Sequence, residues 1–222
     1  MCGRFTLIQI EKLLTDIFQV SSVPSLSPRY NIAPTQSIAT ILQNSETEER
    51  ECKMMKWGLI PSWSKDTKIG AKMINARAET LAEKPAFRSA FKRRRCLIVA
   101  DGFYEWKTQD GKKQPFYFRL ADGKPFGFAG LWERWEKEDS EAIESCTIIT
   151  ISANELMQPI HDRMPVILDE RDYDRWLDPK VQKPESLQSL LQPYRSQEMT
   201  CYPVSTKVNN ARTDSPECLK QA

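Results

Sequence analysis

Apolar residues near the start of the chain recur with helical spacing. Ile10, Leu13, Leu14 and Ile17 fall at positions i, i+3, i+4 and i+7, the pattern of one face of a helix of about three turns. The preceding Thr-Leu-Ile-Gln at residues 6–9 has the form of a capping box, which satisfies free amides of a first helical turn. The pattern therefore predicts a helix that begins after this box.

The middle of the chain holds short runs of β-branched and aromatic residues bounded by turn residues, the pattern of β-strands. Thr-Gln-Asp-Gly at residues 108–111 predicts a hairpin, and Ala-Asp-Gly-Lys at residues 121–124 predicts a second turn. The runs predict strands at residues 38–42, 52–59, 96–106, 115–120, 125–132, 146–152 and 164–168.

The remaining pattern predicts short helices and a fold class. Asp169 is a plausible N-cap for the helix predicted at residues 170–177. Because the strands are joined by hairpins and the helices lie outside them, we expect an α+β fold. It would be a single domain over residues 1–222, with a mainly antiparallel β-sheet or barrel core and peripheral helices. The helices are predicted at residues 86–92, 170–177 and 185–191.

Composition narrows the class of protein. The 222 residues are 40% hydrophobic and 28% charged, which is ordinary for a soluble globular protein. The net charge of +2 does not indicate a nucleic-acid binder by itself, but it is compatible with a local basic groove. No apolar run is long enough to cross a membrane and no signal segment is evident, so we expect a cytoplasmic protein.

Cysteine and histidine usage limits metal chemistry. The six cysteines form no C-x-x-C motif and there is one histidine, so the sequence predicts no metal site. Disulfides are not expected in a cytoplasmic protein. Cys96 and Cys146 each open an apolar, β-branched run, which favours thiols of the core.

Cys2 is the first candidate for chemistry. If Met1 is removed, the thiol and the α-amine of Cys2 stand on adjacent carbons. The amine can condense with an aldehyde to an imine, and the thiol can close onto the imine carbon as a thiazolidine. With pKa values of about 7.7–8.0 for the amine and about 8.5 for the thiol, both are partly reactive at neutral pH. Without further residues, an incidental cysteine beside the start is the simpler interpretation.

Two titratable residues suit proton transfer. His161 is the single histidine, and imidazole titrates near neutrality. Its charged neighbours in an apparent loop argue against the alternative of a structural histidine. Glu105 is flanked by Tyr104 and Trp106, and desolvation there would make it a usable acid or base. A solvent-facing strand residue is the equal alternative.

Polar and aromatic residues elsewhere suit an oxygen-rich ligand. Asn75 and Arg77 stand at i and i+2, so on an extended segment they point to the same side, and arginine can grip a phosphate. Arg4 could serve a similar anion or a surface salt bridge. Trp57 and Trp63 flank a Gly/Pro bend and form a plausible stacking platform for bases, or else fill a core.

A basic run, Lys-Arg-Arg-Arg at residues 92–95, has the composition of a solvated helix end and less often of a phosphate contact.

Taken together, the sequence resembles the SOS response-associated peptidase (SRAP) family of abasic-site processing proteins. Each block of the resemblance is modest, and their order and completeness over nearly the whole chain make it specific. The blocks lie at residues 1–5 (Met-Cys-Gly-Arg-Phe), 29–34, 57–61, 74–80, 100–106, 160–165, 203–205 and 208–210.

The resemblance implies a covalent trap for abasic sites in single-stranded DNA. Cys2, freed when Met1 is removed by self-cleavage or by an aminopeptidase, would form a Schiff base with the ring-opened sugar and then a thiazolidine. Asn75 would hydrogen-bond the linkage, Glu105 would shuttle protons, and His161 would assist opening of the sugar. Activity on other proteins is not implied.

The resemblance also implies DNA contacts. Arg4, Arg77 and Arg163 would contact phosphates, and Trp63 would stack or wedge where the strand bends. We expect a monomer that acts without a cofactor, a metal or a membrane.

Two other functions fit parts of the sequence. Glutamine amidotransferase domains also begin Met-Cys-Gly, so Cys2 would attack an amide with its own amine as base; that leaves Glu105 and His161 unexplained. A non-catalytic nucleic-acid-binding module would use Trp57, Trp63 and the arginines, and it leaves Cys2 unexplained.

Overall fold

The computed structural model describes residues 2–9, 12–44, 46–137 and 141–222. Within them, the strands are β1 (Arg4–Leu7), β2 (Arg29–Ile32), β3 (Ser37–Gln43), β4 (Arg50–Trp57), β5 (Asn75–Arg77), β6 (Arg95–Ala100), β7 (Gly102–Gln109), β8 (Lys112–Leu120), β9 (Phe126–Trp135), β10 (Ile143–Ser152), β11 (Arg163–Pro165) and β12 (Met199–Pro203). The α-helices are α1 (Lys12–Phe18), α2 (Arg88–Arg93), α3 (Tyr173–Leu177) and α4 (Pro184–Gln188). Short 3₁₀ helices include Ala78–Thr80, Glu170–Asp172 and Thr206–Asn209.

Five strands close into a barrel in the order β10-β4-β3-β6-β9, because β9 pairs back onto β10. The neighbours are antiparallel except for β10 and β4, which run parallel. The far end of β10 carries β5 on one side and β11 on the other. Closure leaves the barrel without an exposed edge. The predicted α+β class with a mainly antiparallel barrel core is confirmed.

A second sheet packs against the barrel in the order β12-β8-β7-β1-β2. Phe5 on β1 joins the two, since its ring meets Trp57 at 5.2 Å and Phe128 at 5.9 Å, both edge-on. Such aromatic pairs contribute about 0.5–1.5 kcal/mol beyond the area they bury. The strand that leads from Cys2 therefore belongs to one sheet and packs against the other.

The predicted strand at residues 96–106 is two strands in different sheets. The chain breaks at Asp101, whose carboxylate accepts hydrogen bonds from the Thr6 hydroxyl (2.5 Å) and from the amides of Ile8 (2.5 Å) and Gln9 (2.9 Å). A buried acidic group needs such donors, and Asp101 obtains them by leaving the β6 ladder.

The predicted capping box is wrong. Thr6 lies in β1 and its hydroxyl bonds to Asp101, not to a helix amide. A helix does follow, but it begins at Lys12 and has seven residues. Ile10 lies outside the described residues.

The turn predictions are confirmed. β7 and β8 form a hairpin with Gln109 opposite Lys112, and Asp110 (φ 51°) and Gly111 (φ 72°) both take the left-handed conformation of a two-residue turn. Asp169 occupies the N-cap position of its helix, but its side chain makes no cap bond there. Its carboxylate accepts from Arg195 instead, at 2.9 and 3.0 Å.

Candidate active site

Cys2 lies at the junction of the two sheets. It lies two residues before the start of β1 and is fully buried. The side-chain amide of Asn75, the first residue of β5, donates to the backbone carbonyl of Cys2 at 2.8 Å. The other polar atom of this side chain, Oδ1, is buried and has no hydrogen-bond partner within the described part of the chain. An acceptor thus stands beside Cys2 that a ligand or a new N–H donor can satisfy.

The thiol of Cys2 is held in its neutral form. Burial raises its pKa well above the ordinary value of 9.0, and the negative charge of Glu105 raises it further. The Sγ atom lies 3.9 Å from the carbonyl of Arg4, which accepts from the thiol. A neutral thiol resists oxidation and alkylation at neutral pH, so this residue needs a base to react.

Glu105 lies close to Cys2 because β7 pairs with β1, with Arg4 opposite Tyr104. Its side chain is almost entirely buried, at 3% exposure. The burial that the flanking aromatics predicted is present, and the carboxylate can take a proton from the thiol or return one to it.

His161 presents a defined tautomer. The backbone amide of Arg163 donates to Nδ1 at 2.9 Å, so in the neutral ring Nε2 carries the proton. Asp162 also approaches Nδ1, at 3.0 Å. That contact is an ion pair only in the imidazolium form, and water screens it because the Asp162 carboxylate is 88% exposed, so the backbone amide fixes the tautomer.

Three of the predicted residues meet at one cleft of 650 Å³. Cys2 and Asn75 adjoin it through the contacts above. The lining residues are Arg4, Glu105, Trp106, Thr108, Lys113, His161 and Asn209.

Arg4 is anchored rather than mobile. Its guanidinium donates to Asn31 Oδ1 at 2.8 Å and to the carbonyl of Val208 at 2.7 Å. Burial lowers the pKa of Arg4 below the ordinary value for arginine, yet the guanidinium stays charged. Asn31, which is fully buried, in turn donates to the carbonyls of Val208 (3.2 Å) and Thr213 (2.7 Å). Sequence reasoning missed Asn31, because the Arg-Tyr-Asn-Ile of β2 gives no local signal and the hydrogen-bond partners lie at residues 208 and 213.

The other two predicted arginines differ in their surroundings. Arg163 makes a bidentate pair with Glu79, at 2.7 and 3.0 Å, and donates to the carbonyl of Thr150 at 2.6 Å. These hydrogen bonds lower the pKa of Glu79. Arg77 is exposed, and its side chain makes no hydrogen bond within the residues that the structure describes. A phosphate would have to replace the hydrogen bonds of Glu79 at Arg163, whereas Glu79 acts on Arg77 through its charge alone.

The two tryptophans separate into core and surface. Trp57 is fully buried and its indole donates to the carbonyl of Ile74 at 2.9 Å, so the predicted two-tryptophan stacking platform is wrong. Trp63 is 61% exposed. Of these two tryptophans, Trp63 is the one whose ring is open to a base.

The basic run is not uniformly solvated. Arg95 is 3% exposed, and its guanidinium donates to four backbone carbonyls, among them those of Trp176 (2.6 Å) and Phe91 (2.9 Å). Arg94 pairs with Glu133 at 2.7 Å. These two residues hold α2 and α3 onto the barrel, so a phosphate contact by the whole run is excluded.

All six cysteines are free thiols, and Cys96 and Cys146 are fully buried in the barrel, as the apolar runs predicted. No helix within the described ranges has the length and apolar character that a membrane crossing requires.

Comparison with known proteins places this site in context. Residues 1–211 match the family described as SOS response associated peptidase (SRAP). The abasic site processing protein YoqW of Bacillus subtilis is 49% identical over 226 residues, covering 99% of both chains. The abasic site processing protein HMCES of Xenopus tropicalis is 35% identical over 221 residues, covering 86% of this chain and 65% of that protein. A crystal structure of a Bacteroides thetaiotaomicron protein matches with a TM-score of 0.86 at 27% identity, covering both chains fully.

Proposed function

The chain belongs to the SOS response associated peptidase family, and from this premise we propose that it processes abasic sites in single-stranded DNA by trapping them covalently on Cys2. The relatives carry the name abasic site processing protein. The observation that carries the proposal is the 2.8 Å hydrogen bond from Asn75 to the carbonyl of Cys2, beside a cleft lined by Glu105 and His161.

The chemistry begins with exposure of the amine. Hydrolysis of the Met1–Cys2 peptide bond, which we propose the protein performs on itself, releases methionine. The Cys2 amine then adds to the aldehyde of the ring-opened deoxyribose, and loss of one water gives the imine. The Sγ–H bond breaks as sulfur adds to the imine carbon, and the imine nitrogen gains a proton. The product is a five-membered thiazolidine.

Glu105 and His161 supply the proton transfers. Glu105 accepts the thiol proton as sulfur attacks and delivers a proton to the nitrogen, which the raised pKa of Cys2 makes necessary. His161, with its proton on Nε2, donates toward the ring oxygen of the closed sugar and so assists release of the aldehyde. Asn75 keeps the Cys2 carbonyl, and with it the amine and thiol, in one orientation.

Holding the thiol next to the imine makes ring closure intramolecular. Effective concentrations for well-oriented groups reach on the order of 10⁵ M or more, so a reversible imine becomes a long-lived linkage. The noncovalent contacts need to hold the DNA only until that covalent bond forms. We propose that Arg4, Arg77 and Arg163 contact its phosphates and that Trp63 stacks on a base, in a monomeric, cytoplasmic protein with residues 1–222 as one domain.

The test is a denaturing gel. The protein is incubated with a single-stranded oligonucleotide that carries one abasic site, without a reductant. We expect a shifted band for the wild type and none for Cys2→Ala or Cys2→Ser, because neither variant has the thiol that closes the thiazolidine. In a second incubation with borohydride, a variant from which Met1 has been removed should give a band, because its α-amine still forms an imine that borohydride reduces.

The other outcomes assign the alternatives. Hydrolysis of glutamine without a shifted band would support an amidohydrolase. Binding of intact strands that Cys2→Ala leaves unchanged, again without a shifted band, would support a passive nucleic-acid-binding module. Mass spectrometry of the purified chain reports whether Met1 has been removed, so that a blocked amine is not mistaken for an inactive site.

A further inference from the structure

Arg4 is a partly buried cation whose hydrogen-bond partners are neutral. Its side chain lines the cleft beside Cys2, and among the residues that the structure describes it forms no ion pair with an acidic side chain. Its Nη1 atom donates to Asn31 Oδ1 at 2.8 Å and to the carbonyl of Val208 at 2.7 Å. These oxygens belong to an amide and a peptide group, so the charge of Arg4 is left for an anion in the cleft.

The two hydrogen bonds at Nη1 determine which donors of Arg4 remain. A guanidinium has five N–H groups in a planar fork, and the two on Nη1 are used by Asn31 and Val208. Nε and Nη2 have no hydrogen-bond partner within the described part of the chain. Because Nε–H and one Nη2–H point in parallel, this edge can bind two oxygens of one phosphate. The neighbours of Arg4 thus leave its phosphate-binding edge free.

The fully buried side chain of Asn31 controls both contacts at Nη1. Its Oδ1 accepts from Arg4, while its Nδ2 donates to the carbonyls of Val208 and Thr213, at 3.2 and 2.7 Å. One amide therefore holds the arginine and also the peptide oxygen that the arginine uses. Only an amide offers an acceptor and a donor together without a charge, and a carboxylate at this position would neutralise Arg4.

The segment that Asn31 holds is fastened to β2 a second time. Asp214 accepts from the backbone amides of Tyr30 (2.6 Å) and Asn31 (3.0 Å), and it pairs with the guanidinium of Arg29. Residues 208–214 are thus attached to β2 by the side chain of Asn31 near one end and by Asp214 at the other. The Val208 carbonyl has little freedom to move away from Arg4.

We propose that Asn31 is a positioning residue of the site, which presents the Nε–Nη2 edge of Arg4, with its charge uncompensated, to one phosphate beside the abasic sugar. This inference rests on the proposed function, because the phosphate belongs to the strand whose sugar reaches Cys2. A long side chain that is ordered before binding loses less conformational entropy when the ligand arrives. Asn31 therefore contributes to affinity only through Arg4, without touching the DNA.

The test is a double-mutant cycle between Asn31 and Arg4. The probe is oligothymidylate with one central tetrahydrofuran analogue of the abasic residue, which cannot react with Cys2. Arg4→Ala should raise Kd about tenfold, as expected for one lost charge-assisted hydrogen-bonded contact, and reduce the steepness of log K against log salt by about 0.7. Asn31→Ala should raise Kd about threefold to tenfold in the wild type and leave it unchanged in the Arg4→Ala background.

The matched control is Asp214→Asn. It removes the ion pair with Arg29 but keeps an oxygen that can accept from the backbone amides of Tyr30 and Asn31. It therefore perturbs the same segment without a change at Arg4, and Kd should stay at the wild-type value. An equal rise of Kd in Asp214→Asn and Asn31→Ala, or an equal effect of Asn31→Ala in both backgrounds, would show a structural role and overturn the proposal.

Arg4→Lys tests the same inference with Asn31 in place, so it remains informative if urea unfolding shows that Asn31→Ala does not fold. The lysine ammonium keeps the charge, but Asn31 and Val208 attract it and it has no second edge. Its Kd should therefore match that of Arg4→Ala within about twofold. A wild-type Kd would show that charge alone matters and would contradict the proposal.

These binding measurements need no covalent step, so their outcome is distinct from that of the proposed function. The proposed function fails if the wild type forms no cross-link to aldehyde-bearing DNA. The positioning role of Asn31 fails if the double-mutant cycle shows no coupling between Asn31 and Arg4 while the cross-link still forms.

Discussion

The Asn75 side chain donates a 2.8 Å hydrogen bond to the backbone carbonyl of Cys2, and this contact links residues of different sheets. Asn75 opens β5, which pairs with β10 at the end of the barrel. Cys2 precedes β1, which belongs to the five-stranded sheet. The position of Cys2 is therefore determined by two rigid elements, as preorganised chemistry requires.

Removal of this donor should separate chemistry from binding. We expect Asn75→Ala to slow cross-linking at least about tenfold, because a displacement of the reacting atoms by about 1 Å is costly. The unfolding free energy should fall by about 1–2 kcal/mol for the buried carbonyl left unpaired. Gel kinetics measure the rate of cross-linking, and urea unfolding measures the unfolding free energy. Binding is measured as the Kd for a single-stranded oligonucleotide that carries an unreactive tetrahydrofuran analogue of the abasic residue. A Kd that rises as much as the rate falls would contradict the positioning role.

His161 should act in the reaction more than in binding. His161→Ala should slow cross-linking more than it weakens DNA binding. The reason is that Nε2 carries the proton that we propose is donated to the sugar, while Nδ1 accepts from the backbone amide of Arg163. His161→Gln retains an N–H donor, so it should recover part of the rate that His161→Ala loses. Equal losses of rate and affinity in His161→Ala would indicate a structural histidine.

The local parts of the fold were predictable from the sequence and the tertiary parts were not. The hairpin at residues 108–111 follows from turn chemistry within four residues. The break at Asp101 does not, because it depends on a hydrogen bond to Thr6, 95 residues away in the chain. The same bond explains the failed capping box, since the Thr6 hydroxyl is used in the core.

The site divides in the same way. The residue types of Cys2, Glu105 and His161 predicted the chemistry that we propose for them, and burial of Glu105 was one of two equal alternatives, which the structure decides. The sequence did not show which residues these side chains contact. Neither the Arg163–Glu79 pair nor the hydrogen bond from Trp106 to Asn209 can be recognised in the local sequence, because each joins segments that are distant in the chain.

The Arg163–Glu79 pair offers a test of DNA binding. Glu79→Gln removes the charge that competes with phosphate for Arg163, so affinity for intact single strands should rise a few-fold and its salt dependence should become steeper. Filter binding over a salt series measures both. The double variant Glu79→Gln, Arg163→Ala should lose the gain, and retention of the gain would show that Arg163 does not contact the strand.

Buried thiols should make the fold less stable in alkali. Burial raises the pKa of Cys146 above its ordinary value of 9.0, so the folded chain keeps a proton that the unfolded chain releases. The unfolding free energy therefore falls as pH rises past 9, by about 1 kcal/mol per such thiol between about pH 8 and pH 10. Urea unfolding at both pH values should show this loss reduced in Cys146→Ala. Cys201→Ala is the control, since this thiol is only partly buried, and an equal reduction there would contradict the assignment.

Trp57 and Trp63 should respond in opposite ways to truncation. Trp57 is fully buried against Phe5, so Trp57→Ala should lower the unfolding free energy by about 3–5 kcal/mol. Trp63 is 61% exposed, so Trp63→Ala should change it by less than about 0.5 kcal/mol. For binding of single-stranded DNA we expect the larger effect from Trp63→Ala. The lost base stack should weaken the binding free energy by roughly 1–3 kcal/mol.

The conservative replacement Trp63→Phe distinguishes stacking from mere bulk. A phenyl ring keeps a face for a base, so it should recover part of the affinity, whereas Trp63→Leu should not, although its side chain is also apolar. Fluorescence anisotropy with a labelled abasic-analogue oligonucleotide measures all three variants at one salt concentration. Equal affinities for the phenylalanine and leucine variants would show that Trp63 contributes buried area without stacking, and an unchanged Kd for Trp63→Ala would remove it from the DNA path.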